Sequence, residues 1–332
     1  MDERIAHLLT DLPGPDETSH SAVLSRASEV LRPRGALARL DEVAAWLAAW
    51  QGRERPDVER PVALLFVADH GVATEGVSAY PPESTAAVWD ALKAGVATAP
   101  VLARAIGARL ILVDVGVGKP TANIARADAL TPERFWDCFE TGRRTAAEAD
   151  ADLLVLGEMG IGNTTTAAAL CAALLGMPAE HWTGRGTGVD DDGYARKLAA
   201  VDAARRAVPD AAGPMEILRR VGGAELVALA GSILEARRRS IPVVLDGFVV
   251  TAAAAPLELA CPGALDHCVA GHVSAERGHR LLLEKLDKKP LLDLSLRLGE
   301  GSGALLSVPL IRLAARAVTD VATFAEWGLS RG

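Results

Sequence analysis

Large aromatic side chains are scarce: Phe, Trp and Tyr make up 4% of a 332-residue chain that is 50% hydrophobic. A core short of rings must be built from Ala, Leu and Val, a composition that suits parallel strands covered by helices. Cysteine is scarce too. Cys138, Cys171, Cys261 and Cys268 form no CxxC pair and match no zinc-ligand spacing, so they read as buried thiols in a reducing cytoplasm. Basic residues are outnumbered, 35 Lys and Arg against 43 Asp and Glu, for a formal charge of −8. With no basic stripe to neutralise phosphates, a general nucleic-acid binder is excluded, and Arg237-Arg238-Arg239 reads as a solvated helix end. The opening MDERIAHLLTDLPGPDE is charged from its second residue, unlike a signal peptide. The apolar stretches are too short or too interrupted to span a bilayer. The expected location is the cytoplasm, with no membrane partner.

Several motifs are also wanting. VGVGKP, residues 115–120, is no P-loop, because Lys119 precedes Pro120 rather than Ser or Thr. No GxSxG elbow supports serine acyl transfer. His267, His272 and His279 lie close together but fit no HExxH spacing, so neither a metal nor any other cofactor is expected. His272 is expected to face a crevice, and His279 a helix surface or cap.

What is present is alternation. Apolar runs at Val62–Ala68, Leu110–Val113, Leu153–Leu156, Val243–Leu245 and Cys268–Ala270 each end in polar or glycine residues. Helical patterns occupy Thr165–Leu175, Arg196–Ala207, Glu225–Arg238 and Ala275–Leu286 between them, after an earlier one at Ala36–Gly52. This predicts an α/β fold: an open parallel sheet, Rossmann-like, flanked by helices. Ligands bind such sheets beyond the carboxyl ends of the strands, where the polar tips converge. A helix over Ala304–Trp327 is expected to join the N-terminal helices in a smaller, discontinuous helical domain. That gives an α/β domain over 60–295 and a helical domain from 1–59 and 296–332.

Three stretches carry chemistry. GEMGIGNTTTAAAL, Gly157 to Leu170, follows a strand and opens a helix that Asn163 or Thr164 can cap, with Glu158 at the strand tip. TGRGTGVDD, Thr183 to Asp191, offers backbone amides and Arg185, with Lys197 nearby, to a phosphate; a plain surface loop is the alternative. RLGEGSGALL, Arg297 to Leu306, sets Glu300 among Gly299, Gly301 and Gly303. Either a ligand approaches that backbone, or Glu300 and a Ser302 cap simply favour a helix start. Two carboxylates beside phosphate-capable loops suggest transfer or cleavage of a phosphorylated ribosyl group, where positive charge develops at the anomeric carbon.

With ADHGVATEGVSAYP, LDGFVVTAAA and PLLDLSLRLGEGSGALL added, these blocks occur in an order that strongly resembles the nicotinate-nucleotide:5,6-dimethylbenzimidazole phosphoribosyltransferase family, from the first strand to the C-terminal helix. The resemblance implies transfer of phosphoribose from nicotinate mononucleotide to 5,6-dimethylbenzimidazole. The products are nicotinate and α-ribazole 5′-phosphate, for the lower ligand of cobalamin. It implies that Glu300 is the general base taking the benzimidazole N–H proton. Glu158 serves the ribose hydroxyls or the developing cation, and Gly160, Gly162, Asn163 and Thr164 lie near the nucleotide. Gly184, Gly186, Thr187 and Lys197 contribute to the phosphate site, while Tyr80, Pro81 and Leu298 line the base pocket. It also implies a homodimer.

One departure concerns the acceptor. Many members carry a glutamine in the helix after the Tyr-Pro segment, whereas this chain reads PPESTAAVWDAL there and has one glutamine, Gln51, far upstream. The acceptor is therefore open, and Trp89 could repack the pocket. A nucleotide hydrolase or phosphorylase and a silent nucleotide-binding subunit are the competing readings; intact Glu158 and Glu300 speak against the last.

Overall fold

The structure, a computed structural model, describes residues 3–330. Helices α1 (Glu3–Leu8), α2 (Glu17–Glu29) and α3 (Arg39–Gln51) precede strand β1 (Pro61–Ala68). A 3-10 turn at Gly71–Glu75 leads to α4 (Ser84–Lys93), α5 (Thr98–Ile106), β2 (Arg109–Gly116), α6 (Pro132–Ala147) and β3 (Leu153–Met159). Then come α7 (Asn163–Leu175), α8 (Ala179–Trp182), α9 (Asp191–Ala207), α10 (Pro214–Val221), α11 (Ala224–Arg238), β4 (Val243–Leu245) and α12 (Phe248–Ala260). The chain closes with β5 (Cys268–Ala270), β6 (His272–Val273), α13 (Arg277–Lys285), β7 (Leu292–Asp293) and α14 (Ser302–Thr319).

Each expected apolar run is a strand of one parallel sheet, ordered β2-β1-β3-β4-β5, with Phe66 opposite Glu158 across the β1–β3 pair. The order reverses between β1 and β3, which opens a crevice beyond their carboxyl ends. Side chains alternate between two cores. Val62, Leu64, Phe66 and Ala68 of β1 join one with Leu154, Leu156 and helices α6, α7, α11 and α12. Ala63, Leu65 and Val67 join the other with Leu153, Val155 and helices α2, α3, α5 and α14. Burial of alternate residues on both faces is what continuous apolar strands require.

Some expectations change. Helix α14 ends at Thr319, not Trp327, because the following backbone pairs with the end of α2: Leu31 donates to Ala322 O at 2.9 Å and Phe324 to Glu29 O at 2.9 Å. Helix α6 was not expected; Thr131 caps it, accepting the Arg134 amide, and Pro132 opens it. Helix α12 was hidden because it is buried almost all round, so no amphipathic stripe marks it. Arg237 is no solvated end: it is 5% exposed, with its guanidinium 4.3 Å from the Trp50 ring centroid. The Ser84–Ile106 stretch, of mean hydropathy 1.2, is two separate helices, and α14, of the same hydropathy, is mostly buried in the fold.

Candidate functional site

Glu158 is the next-to-last residue of β3, at the point where the strand order reverses, and it is 6% exposed. Its Oε2 accepts the Asn163 side-chain amide, so Asn163 turns to the acid instead of capping α7; the N-cap is Gly162, with no side-chain bond. Burial pushes the Glu158 carboxyl well up, and the charges of Asp246, Glu225 and Glu300 push the same way, while Asn163 opposes them. The loop from β3 to α7 is held by its neighbours: Thr85 Oγ1 of α4 accepts the Ile161 amide at 3.2 Å, and Gly160 packs beside Ala68 of β1 and His70.

Glu300 lies against the same tip. Gly299, Glu300 and Gly301 are left-handed in succession, with φ of 90°, 59° and 72°, a run that a branched or bulky residue resists. The turn lets the Glu300 N–H donate to Glu158 O at 3.0 Å. A Cβ on Gly157 would meet Gly301 N at 2.5 Å, so the approach depends on bare backbone on both sides. The half-buried Glu300 carboxylate crosses to another helix, its Oε2 accepting the Ala99 amide at 3.0 Å in the first turn of α5. It is thus held by a helix start, but not by that of α14, which begins on Gly301 without help from the Ser302 side chain.

The phosphate-capable residues also converge. Lys197, on α9 and 1% exposed, donates its Nζ to Thr164 Oγ1 at 3.0 Å. A Cβ on Gly186 would meet both groups. Thr187 Oγ1 accepts the Ala79 amide at 2.9 Å and pairs with Ser78 Oγ at 3.1 Å, joining this loop to the segment that carries Tyr80 and Pro81. Arg185 stays outside the cluster, paired with Asp191 and Val189 O. Tyr80, Pro81 and Leu298 are exposed, and half-buried Trp89 packs into the second core with Lys93 near its ring. Two hollows of about 300 Å³ each lie elsewhere, at the outer edges of the sheet beside β5 and β2.

Sequence reasoning missed two buried pairs behind these acids. His70, past the tip of β1, bonds Glu225 of α11 through Nε2 and Oε1 at 2.6 Å, both side chains fully buried, with Thr166 Oγ1 3.2 Å from Nδ1. Asp246, past β4, accepts the Ala304 amide of α14 at 2.9 Å and lies 3.3 Å from His272 Nε2. The polar residues after each strand were the available signal; their partners are far along the chain. His272 is accordingly a buried partner of Asp246. His279 is fully buried, not on a surface: Nδ1 accepts the Ser274 amide at 2.8 Å and Nε2 lies 3.1 Å from Thr251 Oγ1.

The chain and its fold are similar to those of known proteins. A family model described as phosphoribosyltransferase matches residues 12–329. Nicotinate-nucleotide–dimethylbenzimidazole phosphoribosyltransferase of Methylorubrum extorquens is 47% identical over 96% of this chain and 93% of its own length. The like-named protein of Mesorhizobium japonicum is 47% identical over 99% and 98%. A crystal structure described as CobT from Thermus thermophilus superposes with a TM-score of 0.91 at 45% identity, covering 95% of this chain and all of that one. The chain belongs to the nicotinate-nucleotide–dimethylbenzimidazole phosphoribosyltransferase family.

Proposed function

We propose that this chain moves phosphoribose from nicotinate mononucleotide to 5,6-dimethylbenzimidazole, making α-ribazole 5′-phosphate and nicotinate, the lower-ligand step of cobalamin synthesis. The observation that carries the reading is Glu300 fastened by its own amide to the Glu158 carbonyl at the strand-order reversal. In this reading one acid serves the sugar and the other the acceptor.

One nitrogen of the acceptor attacks the anomeric carbon from the face opposite the nicotinate, and the bond to the pyridinium nitrogen breaks. The leaving group departs as a neutral ring, so no acid is needed to release it. The proton on the other acceptor nitrogen passes to Glu300, whose Ala99 hydrogen bond orients the carboxylate. Glu158, with its raised pKa, hydrogen-bonds the ribose hydroxyls and stabilises the developing cation once ionised. Asn163 fixes its rotamer, and the backbone at Gly160, Gly162 and Thr164 faces the nucleotide. Gly184, Gly186, Thr187 and Lys197 receive the phosphate, and Tyr80, Pro81 and Leu298 close on the base.

The protein works as a homodimer in the cytoplasm. Exposed Val96 and Val101, beside and on α5, and Leu306 and Leu313, one face of neighbouring α14, support the first; free thiols support the second. Incubation with nicotinate mononucleotide and a panel of benzimidazoles, purines and phenols, read by mass spectrometry, tests the assignment. Transfer to dimethylbenzimidazole supports it, and free ribose phosphate without a base product overturns it.

A further inference from the structure

The phosphate-capable cluster contains an anion of its own. Glu276 is the N-cap residue of α13, yet its side chain makes no capping bond. Its carboxylate instead reaches the 183–188 loop, packing so closely on Gly184 that a Cβ there would have to displace it, and Oε2 is buried without a hydrogen-bond partner. The Gly186 amide and the Lys197 charge both act on this carboxylate to favour its ionised form. Lys197 and Gly186 are also the groups a bound phosphate needs. A phosphate and an ionised Glu276 therefore compete for the same donors.

We propose that Glu276 is the resident counter-anion of the phosphate pocket, which releases Lys197 and the Gly186 amide to the incoming phosphate and takes up one proton from solvent as it does so. The ligand class, a ribose 5-phosphate group, rests on the transferase reading above. The protonated carboxyl then donates its O–H to a phosphate oxygen, so the unpartnered group gains a bond and no like charges are left facing each other. The charged groups acting on Glu276 are Lys197 of α9 and Arg297 of the segment before α14; with the Gly186 amide they favour the carboxylate, while burial, the larger influence, pushes its pKa up. Burial in turn pushes Lys197 down and Glu276 pulls it back up. A phosphate dianion drawing on Lys197 tips this balance toward the protonated acid.

Calorimetry with ribose 5-phosphate at pH 8, in two buffers of different ionisation heat, reads the proton directly. The unaltered protein should take up as much as one proton per site, and Glu276→Gln none. In turnover, the KM for nicotinate mononucleotide should rise with pH for the unaltered enzyme, approaching about tenfold per unit, and stay flat for the glutamine variant. Absence of proton uptake by the unaltered protein overturns the proposal, and so does an unchanged pH slope in the variant. The first readout needs no variant, so misfolding of Glu276→Gln cannot hide the answer. Proton-coupled ribose 5-phosphate binding without transfer to any base would sink the transferase reading while upholding this one.

Discussion

The backbone amide of Glu300 donates to the backbone oxygen of Glu158 at 3.0 Å, although the two residues stand far apart in the sequence. Main chain, not side chain, sets their separation. Each carboxylate is then aimed separately, one by Asn163 and the other by Ala99.

If Glu300 takes the acceptor's proton, Glu300→Gln should retain nucleotide binding and lose turnover by about a hundred- to ten-thousandfold, the usual worth of a positioned base. Single-turnover rates with dimethylbenzimidazole, beside a nucleotide titration, check this. Equal rates in both proteins would remove the assignment.

Gly157→Ala places a methyl 2.5 Å from Gly301 N and 2.8 Å from the Glu300 carbonyl carbon, where only backbone can yield. The expected cost is about 1–3 kcal/mol in urea denaturation, with a larger proportional loss of turnover as Glu300 is displaced. Gly176→Ala is the control. Its φ of 73° carries strain, but nothing lies within 4 Å, so stability falls by about 1–2 kcal/mol with turnover kept.

The His70–Glu225 pair is wholly buried, and Glu225 Oε2 already lacks a partner. His70→Ala should destabilise by about 3–5 kcal/mol, because it leaves a buried acid with neither oxygen bonded. Replacing both residues with apolar side chains should recover much of that loss. A double-mutant cycle in denaturant measures the coupling.

Burial depresses His267 and His279 to about 3, so both stay neutral in the fold while the unfolded chain binds protons near 6.5. The unfolded state therefore holds more protons between those values. Stability is fully present above pH 6.5 and falls as the pH drops toward 3, by up to about 1.4 kcal/mol per unit for each histidine. Urea midpoints from pH 4.5 to 7.5 should show this slope, and His279→Asn should reduce it. An unchanged slope in that variant would exclude His279 as a source.

Five strands and the polar tips beyond them were readable along the chain, because a buried parallel strand needs a short continuous apolar run and ends where that run ends. Glu158, Glu300 and Lys197 stood out as candidates for the same reason: glycine and charge within a few residues are local signals. Local signals do not report what a side chain meets. Asn163, offered as a cap, binds an acid; Glu300, open to a ligand-facing role or a helix start in α14, reaches the first turn of α5. His70 finds Glu225 at a separation of 155 residues, and α14 stops where α2 captures its successor. Apolar patterning by itself determined the sheet and the polar tips at the carboxyl ends of its strands. Which acids face one another, and which cations are already taken, only the tertiary structure decided, since those energies depend on burial and on neighbours distant in sequence.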